Sequence, residues 1–224
     1  MAFAYSPKIV TDGLVFAVDA ANKKSYPGSG TTWSDLSGNG NEIELVNGPT
    51  FDSANGGSIV FDGTNDFARE ITYNGPAITL NGPLTLSGWF NYDNYSSTRS
   101  TLGLINGNNA IQMGWRGGSG AIWKYGGTVL VNYNEPPTGT WFNSVLTLNG
   151  STAISYVNGE LDTTNLSASP QTAALASIVM SSYTTGGSSE RFAGKLTNIT
   201  LYNRVLSPTE ITQNYNALKS RFGL

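Results

Sequence analysis

The chain has 224 residues, of which 39% are hydrophobic and 12% charged, and its 15 acidic and 12 basic side chains give a formal net charge of −3. A balance this weak and slightly acidic, with basic residues scattered apart from Lys23-Lys24, leaves no electrostatic footprint for a nucleic-acid backbone. The absence of cysteine excludes a disulfide scaffold and thiolate metal sites, and the absence of histidine removes the commonest general base and metal ligand.

From the N-terminus, Met1 to Lys8 lacks a charged leader followed by an apolar stretch, so neither a signal peptide nor a transit peptide is expected. No apolar run approaches the ~18 residues of a membrane span, and synthesis and assembly in a cytoplasm are the expectation. Residues 1–12 read as an N-terminal arm. Candidate strands then follow at Leu14 to Asp19, Ile43 to Val46, Ser58 to Asp62, Phe67 to Ile71, Leu84 to Phe90, Thr101 to Ile105 and Ile111 to Trp115. They continue at Ala121 to Tyr125, Val129 to Tyr133, Phe142 to Leu148, Ala153 to Asn158, Ile178 to Ser181 and Arg191 to Tyr202. Short strands at regular spacing, punctuated by Gly, Asn, Asp and Pro, predict one all-β domain over residues 1–224, an antiparallel two-sheet sandwich or barrel.

Two hairpins stand out. Asn158-Gly159 between Val157 and Glu160 carries the positive φ angles of a tight turn, and Arg116 to Gly120 forms a second. If that second hairpin pairs Trp115 with Ala121, then Ile111, Met113, Trp115, Trp123 and Tyr125 share a face; a slip of one residue separates them. Ser207 with Glu210 makes a capping box and Pro208 suits the first helical position, so a helix is predicted over 207–222. Its apolar stripe, Ile211, Tyr215, Leu218 and Phe222, is expected to lie on the sandwich.

The order of these landmarks carries a resemblance. Gly13-Leu14-Val15-Phe16 with Asp19, Trp33 to Asn41, Ile59 to Phe67, Leu84 to Phe90, Trp141 to Val145, Tyr156 to Gly159 and Phe192 to Ile211 together resemble the concanavalin A-like, laminin G-like jelly-roll family in its three-part version. The resemblance implies a two-sheet jelly roll with the short C-terminal helix packed on it. The opening Asp12 to Asn22 and the closing Asn214 to Gly223 look like the variant carried by structural proteins of tailed phages, including marine ones. Phe142-Asn143 stands where relatives often have a His pair, and Thr197-Asn198 where they often have acids, so ligand roles tied to those positions do not carry over.

Several residues are candidates for chemistry. Glu42 and Glu44 are the only glutamates with the one-face spacing of a strand, but alternation with Ile43 and Leu45 favours a solvated outer face over a glycosidase pair. Asp62, Asn65 and Asp66 cluster hard oxygens that suit Ca²⁺, and equally suit a structural turn. Trp115, Trp123, Tyr125 and Tyr133 could form a platform for pyranose rings or simply pack. Trp89 and Trp141 read as core, and Tyr92, Tyr95 and Tyr183 as loop aromatics free to make contacts.

The expectation from residues and resemblance together is a non-enzymatic virion protein of a tailed phage, a capsid decoration, fibre or tail component present in many copies or as a homo-oligomer. It would be assembled in the host cytoplasm against other capsid or tail proteins. The alternative is a lectin module for cell-surface glycans, with a glycoside hydrolase third.

Overall fold

A computed structural model describes residues 7–70, 73–95, 99–116, 119–124, 128–134, 136–182, 184–185 and 190–224. In these residues the alternating apolar pattern becomes strands β1 (Leu14–Val18), β2 (Thr32–Trp33), β3 (Ile43–Val46), β4 (Thr50–Asp52), β5 (Ser58–Asp62), β6 (Phe67–Arg69), β7 (Leu84–Tyr92) and β8 (Arg99–Asn106). There follow β9 (Asn109–Arg116), β10 (Ser119–Lys124), β11 (Val129–Tyr133), β12 (Trp141–Asn149), β13 (Thr152–Val157), β14 (Glu160–Asn165), β15 (Ser177–Met180) and β16 (Ala193–Tyr202). Helix α1 (Pro208–Leu218) and a 3-10 turn at Lys219–Phe222 close the chain. Among the described residues no helix is long and apolar enough to cross a membrane.

The strands form two eight-stranded antiparallel sheets. One runs β14-β13-β12-β7-β16-β5-β4, with β1 also paired to β16; the other runs β11-β10-β9-β8-β15-β6-β3-β2. Their facing sides hold one core that includes Phe16, Trp33, Phe61, Leu86, Phe90, Leu104, Ile111, Phe142, Ile178 and Leu196, all essentially without solvent contact. Aligned sheets of this kind bury the inward residue of each alternating pair. The predicted two-layer architecture and terminal helix are both present.

The helix gives the first sheet a second buried face. Every residue of β7 is buried, because its inner side chains meet the other sheet while Trp89 points outward under the C-terminal segment. Trp89 stacks on Tyr215 at 5.6 Å and on Phe222 at 4.2 Å, and Trp141 meets Phe222 at 4.8 Å. The expected core tryptophans thus belong to a separate aromatic layer outside the sandwich. Beside it, Ile211, Leu206, Tyr202, Tyr156 and Val145 form a second apolar cluster. The Asn158-Gly159 turn has φ angles of 52° and 80°, and Gly159 is needed twice over: a Cβ there would lie 2.9 Å from the Tyr215 ring.

Both halves of the predicted capping box form: Ser207 Oγ accepts the Glu210 amide and the Glu210 carboxylate accepts the Ser207 amide. Glu210 also takes both arms of Arg204, at 2.6 and 3.0 Å. The Arg204 bonds, then the Ser207 amide, pull its carboxyl down to about 2 from 4.5. A depressed acid stabilises the fold above its ordinary pKa and loses that contribution as pH falls towards the folded value. Glu210→Gln is therefore expected to cost about 1 kcal/mol at pH 7, a typical capping value, and almost nothing at pH 2; urea midpoints at the two pH values check it.

At the other end of the chain's register, two expectations are corrected. β9 and β10 pair Trp115 with Gly120, not with Ala121, and Met113 with Ile122. This one-residue slip puts position 123 opposite Gln112, on the sheet face away from Met113 and Trp115. Tyr92 is no loop aromatic: it ends β7, is 1% exposed, and packs edge-on against Phe192 at 4.9 Å.

Candidate functional site

Backbone pairing aligns one residue per strand across the outer face of the second sheet. The row runs Thr32, Glu44, Arg69, Val179, Gly103, Gln112, Trp123 and Val129, each paired with the next. Its middle is covered, since Val179 and Gln112 are buried. Thr185 lies over this part, accepting a bond from Arg69 Nη1 at 2.7 Å, and lines with Thr184, Ile105 and Ser177 a cavity of about 370 Å³.

The row opens at its first end. There a cavity of about 420 Å³ is lined by Thr32, Gly40, Glu42, Ile43, Glu44, Arg69, Glu70 and Asn74. Local sequence explains each contribution. The alternation Glu42, Ile43, Glu44, Leu45 sends both glutamates to solvent and the apolar pair to the core, as expected from the pattern. Arg69 Nε holds Glu44 at 2.9 Å. Asp35 organises the loop beside the cavity, accepting the amides of Ala17 at 2.9 Å and Ser37 at 2.8 Å; Asn41 Oδ1 then fixes the Asn74 amide at 2.7 Å.

Glu70 is the residue that sequence reasoning missed. It is 1% exposed, and neither carboxyl oxygen has a hydrogen-bond partner; the Ile178 amide lies near it without bonding geometry. Burial pushes the carboxyl up to about 8, the nearby Ile178 amide opposes this, and the negative charge of Asp35 adds to it. Nearby, the Tyr73 hydroxyl is also buried and unpartnered, its ionisation suppressed by burial and then by Glu70 and Asp35. Trp33, opposite Ile43, has an unpartnered indole N–H as well. Buried polar atoms are nearly always satisfied, so three such residues close together are unusual. The signal was present: with Ala68 inward, a period of two turns Glu70 inward and Arg69 outward.

Of the expected aromatic platform, the side chains of Trp115 and Tyr133 are among those described. Tyr133 is buried, its hydroxyl donating to Gly114 O at 3.0 Å. Trp115 is half-buried and lies 6.1 Å from Tyr95, whose hydroxyl donates to Pro136 O at 2.8 Å. The backbone at position 123 pairs with Gln112, and the Trp123 side chain, Tyr125 and Tyr183 lie outside what the structure describes. In the Asp62 turn, Asp62 Oδ1 accepts the amides of Thr64, Asn65 and Asp66, and Asp66 Oδ2 accepts the Asp62 amide. Those oxygens serve the turn. The Thr64 amide bond lowers the Asp62 carboxyl, while burial raises that of Asp66. Among the described residues no group of three or more acidic, His or Cys side chains is placed to hold a metal ion.

The two departures from the family pattern are structural here. Asn143 Nδ2 donates to Gly88 O at 2.9 Å, and Thr197 Oγ1 donates to Gly57 O at 2.8 Å.

Residues 62–212 match the family model described as the concanavalin A-like lectin/glucanases superfamily. The chain belongs to this superfamily. No curated protein sequence matches it. Among solved structures, the superfamily member resembles domain 4 of AbnA, a GH43 extracellular arabinanase from Geobacillus stearothermophilus, in complex with arabinotriose, with a TM-score of 0.70 and 16% identity over 90% of this chain and 98% of that one. The binding domain of Paraclostridial Mosquitocidal Protein 1 gives 0.69 and 16%, over 92% of this chain and 52% of that one. Trypanosoma rangeli sialidase in complex with sialic acid gives 0.70 and 15%, over 97% of this chain and 36% of that one. The concanavalin A-like domain therefore spans about half of the toxin domain and about a third of the sialidase. At these identities the likeness is one of fold.

Proposed function

We propose that this concanavalin A-like domain is a non-catalytic carbohydrate-binding module whose ligand enters the cavity at the open end of the second sheet. The observation that carries the reading is the cavity itself. Its volume falls in the range of small-molecule sites, and hydroxyl, amide, carboxylate and guanidinium groups converge on it from β2, β3, β6 and the Asn74 segment. That a domain of the same fold and length holds arabinotriose supports it. The binding-only reading rests on the exposed setting of Glu42 and Glu44, with Glu44 held by Arg69, in place of a facing acid pair. A glycan array followed by calorimetry tests it: Arg69→Ala, which removes a cavity wall and frees Glu44, is expected to weaken the best glycan at least tenfold, about 1.4 kcal/mol. Unchanged affinity, or turnover of the glycan by purified protein, would contradict the assignment.

A second reading concerns where the module is displayed. The opening and closing segments that look like tailed-phage structural proteins meet in space. Arg221 Nη1 spans both oxygens of Asp19 at 3.0 and 3.1 Å, and Asn214 Oδ1 accepts the Val10 amide at 2.7 Å. From that sequence resemblance alone we propose that the module sits in many copies on a virion, where weak single-site binding becomes avidity. Mass spectrometry of purified particles, with imaging of their surface, tests this placement; absence of the chain from the particle would end it.

A further inference from the structure

We propose that the buried group formed by Glu70, Tyr73 and Trp33 is a pH-sensitive latch behind the cavity wall, closed while the Glu70 carboxyl carries its proton and loosened when the proton leaves. The inference rests on the carbohydrate-binding reading for the use of the cavity and names a control on that site. Geometry carries it. Each of the three residues is the chain neighbour of one that lines the cavity: Trp33 of Thr32, Glu70 of Arg69 and Tyr73 of Asn74. With a period of two, Thr32 and Arg69 turn outward while Trp33 and Glu70 turn inward, so the same backbone is wall on one side and core on the other. The buried side holds the Trp33 indole N–H, both Glu70 oxygens and the Tyr73 hydroxyl, none with a hydrogen-bond partner. This segment is fastened by the Glu70 amide on Ile178 O at 2.8 Å, the Tyr73 amide on Ala176 O at 2.9 Å and the Asn74 amide on Asn41 Oδ1 at 2.7 Å.

The surroundings of Glu70 give the direction. A protonated carboxyl is neutral and tolerates an apolar setting, whereas a carboxylate must find donors or water. The titratable groups that act on it are both acids, Asp35 from the loop after β2 and Tyr73 beyond β6. β15 offers the Ile178 amide, and the cation of its own strand, Arg69, faces outward onto Glu44 at 2.9 Å and Thr185 O at 2.7 Å. Burial, with Asp35 adding to it against the Ile178 amide, moves the carboxyl up to about 8. Loss of the proton then requires Glu70 to swing towards water or to admit it, and the adjoining Arg69 moves with it, easing its hold on Glu44 and Thr185. The chain has no histidine and no cysteine, so the α-amino group is the other group that ordinarily titrates between about pH 6 and 9.

Carbon-detected NMR of the labelled full chain from pH 5.5 to 9.5 tests this without any ligand. The Glu70 carboxyl carbon and the carbonyl carbons of Thr32, Arg69 and Asn74 are expected to shift together with one midpoint near 8. In Glu70→Gln, with circular dichroism confirming the fold, the three carbonyls are expected to stay still. Calorimetry with the best array glycan reads the consequence: affinity is expected to be level from pH 5.5 to 7 and about tenfold weaker at pH 9.5, since one linked proton gives up to about tenfold per pH unit above the midpoint. In Glu70→Gln it is expected to be the same at every pH. Wall carbonyls that do not follow the Glu70 carboxyl, or that titrate alike in Glu70→Gln, overturn the latch. A glycan affinity of the parent that is level across the whole range also overturns it and leaves the carbohydrate reading standing. Coupled shifts in a protein that binds no glycan uphold the latch and remove the carbohydrate reading.

Discussion

Replacing Trp89 with alanine is expected to remove about 3–5 kcal/mol of stability, the usual loss for a buried tryptophan, and to release the C-terminal helix from the sandwich. The indole is 1% exposed and lies against two rings, Tyr215 at an interplanar angle of 8° and Phe222 at 22°. Nothing else on the outer face of β7 can fill that space, because its neighbours in the strand are Ser87 and Asn91, whose polar groups bond elsewhere. A domain is typically stable by only 5–15 kcal/mol, so the variant is near the threshold of folding. Urea unfolding should show a lower midpoint, and limited proteolysis should cut after Leu206 faster than in the parent. Trp89→Phe keeps one stacking surface and is expected to recover about half of the loss. A loss below about 1 kcal/mol for Trp89→Ala would mean that the helix is held chiefly by its polar clamps, Asp19 with Arg221 and Arg204 with Glu210.

Glu70→Gln is expected to do the opposite and stabilise the protein at alkaline pH. The folded carboxyl titrates near 8 against an ordinary 4.5. Between these values the folded state keeps a proton that the unfolded chain has released, so stability falls as pH rises from about 4.5 to about 8 and is level above. The difference of about 3.5 pH units sets a ceiling near 5 kcal/mol. Local relaxation and water entry reduce it, and a gain on the order of 1–2 kcal/mol is expected at pH 8, with none at pH 4. Chemical unfolding of both proteins at pH 4, 6 and 8 checks the sign. A Glu70→Gln protein less stable than the parent at pH 8 would show that the carboxylate is satisfied in solution.

Much of this fold was legible in the chain. Ile43–Val46, Ser58–Asp62 and Val129–Tyr133 have the bounds that alternation predicts, and Ser207, Pro208 and Glu210 mark the helix start to the residue. Three strands were not anticipated: Thr32–Trp33, Thr50–Asp52 and Glu160–Asn165. Each ends a sheet. Edge strands are short and polar because only one side is paired, so they carry little of the alternation that reveals a central strand. Glu160–Asn165 is nevertheless useful, since Asn134 bonds Asp162 at 2.6 Å and Ser155 Oγ donates to Asn132 O at 3.1 Å, tying the two sheets along that side.

The candidate site was harder to see, for reasons of distance and register. Thr32, Glu44 and Arg69 come from three strands separated by long connections, and only strand pairing sets them side by side. Aromatic count pointed to the β9–β10 hairpin, but the strands pair one residue away from the register that would align those aromatics, Trp115 with Gly120 and position 123 with Gln112. Glu70 fell inside the expected strand Phe67 to Ile71 with nothing local to set it apart. Its burial depends on the Asp35 loop and on Asn41 holding Asn74, contacts across 33 residues of chain.

A glycan is proposed to occupy the cavity at the β2–β3–β6 end of the second sheet. The direct measurement is an NMR titration of the labelled protein with its best array glycan, following the backbone amides. Saturable shifts concentrated at Thr32, Glu42, Glu44, Arg69 and Asn74, and lost in Arg69→Ala, are the expected result. Shifts confined to α1 or to the Asp62 turn, or none at saturating glycan, would contradict it.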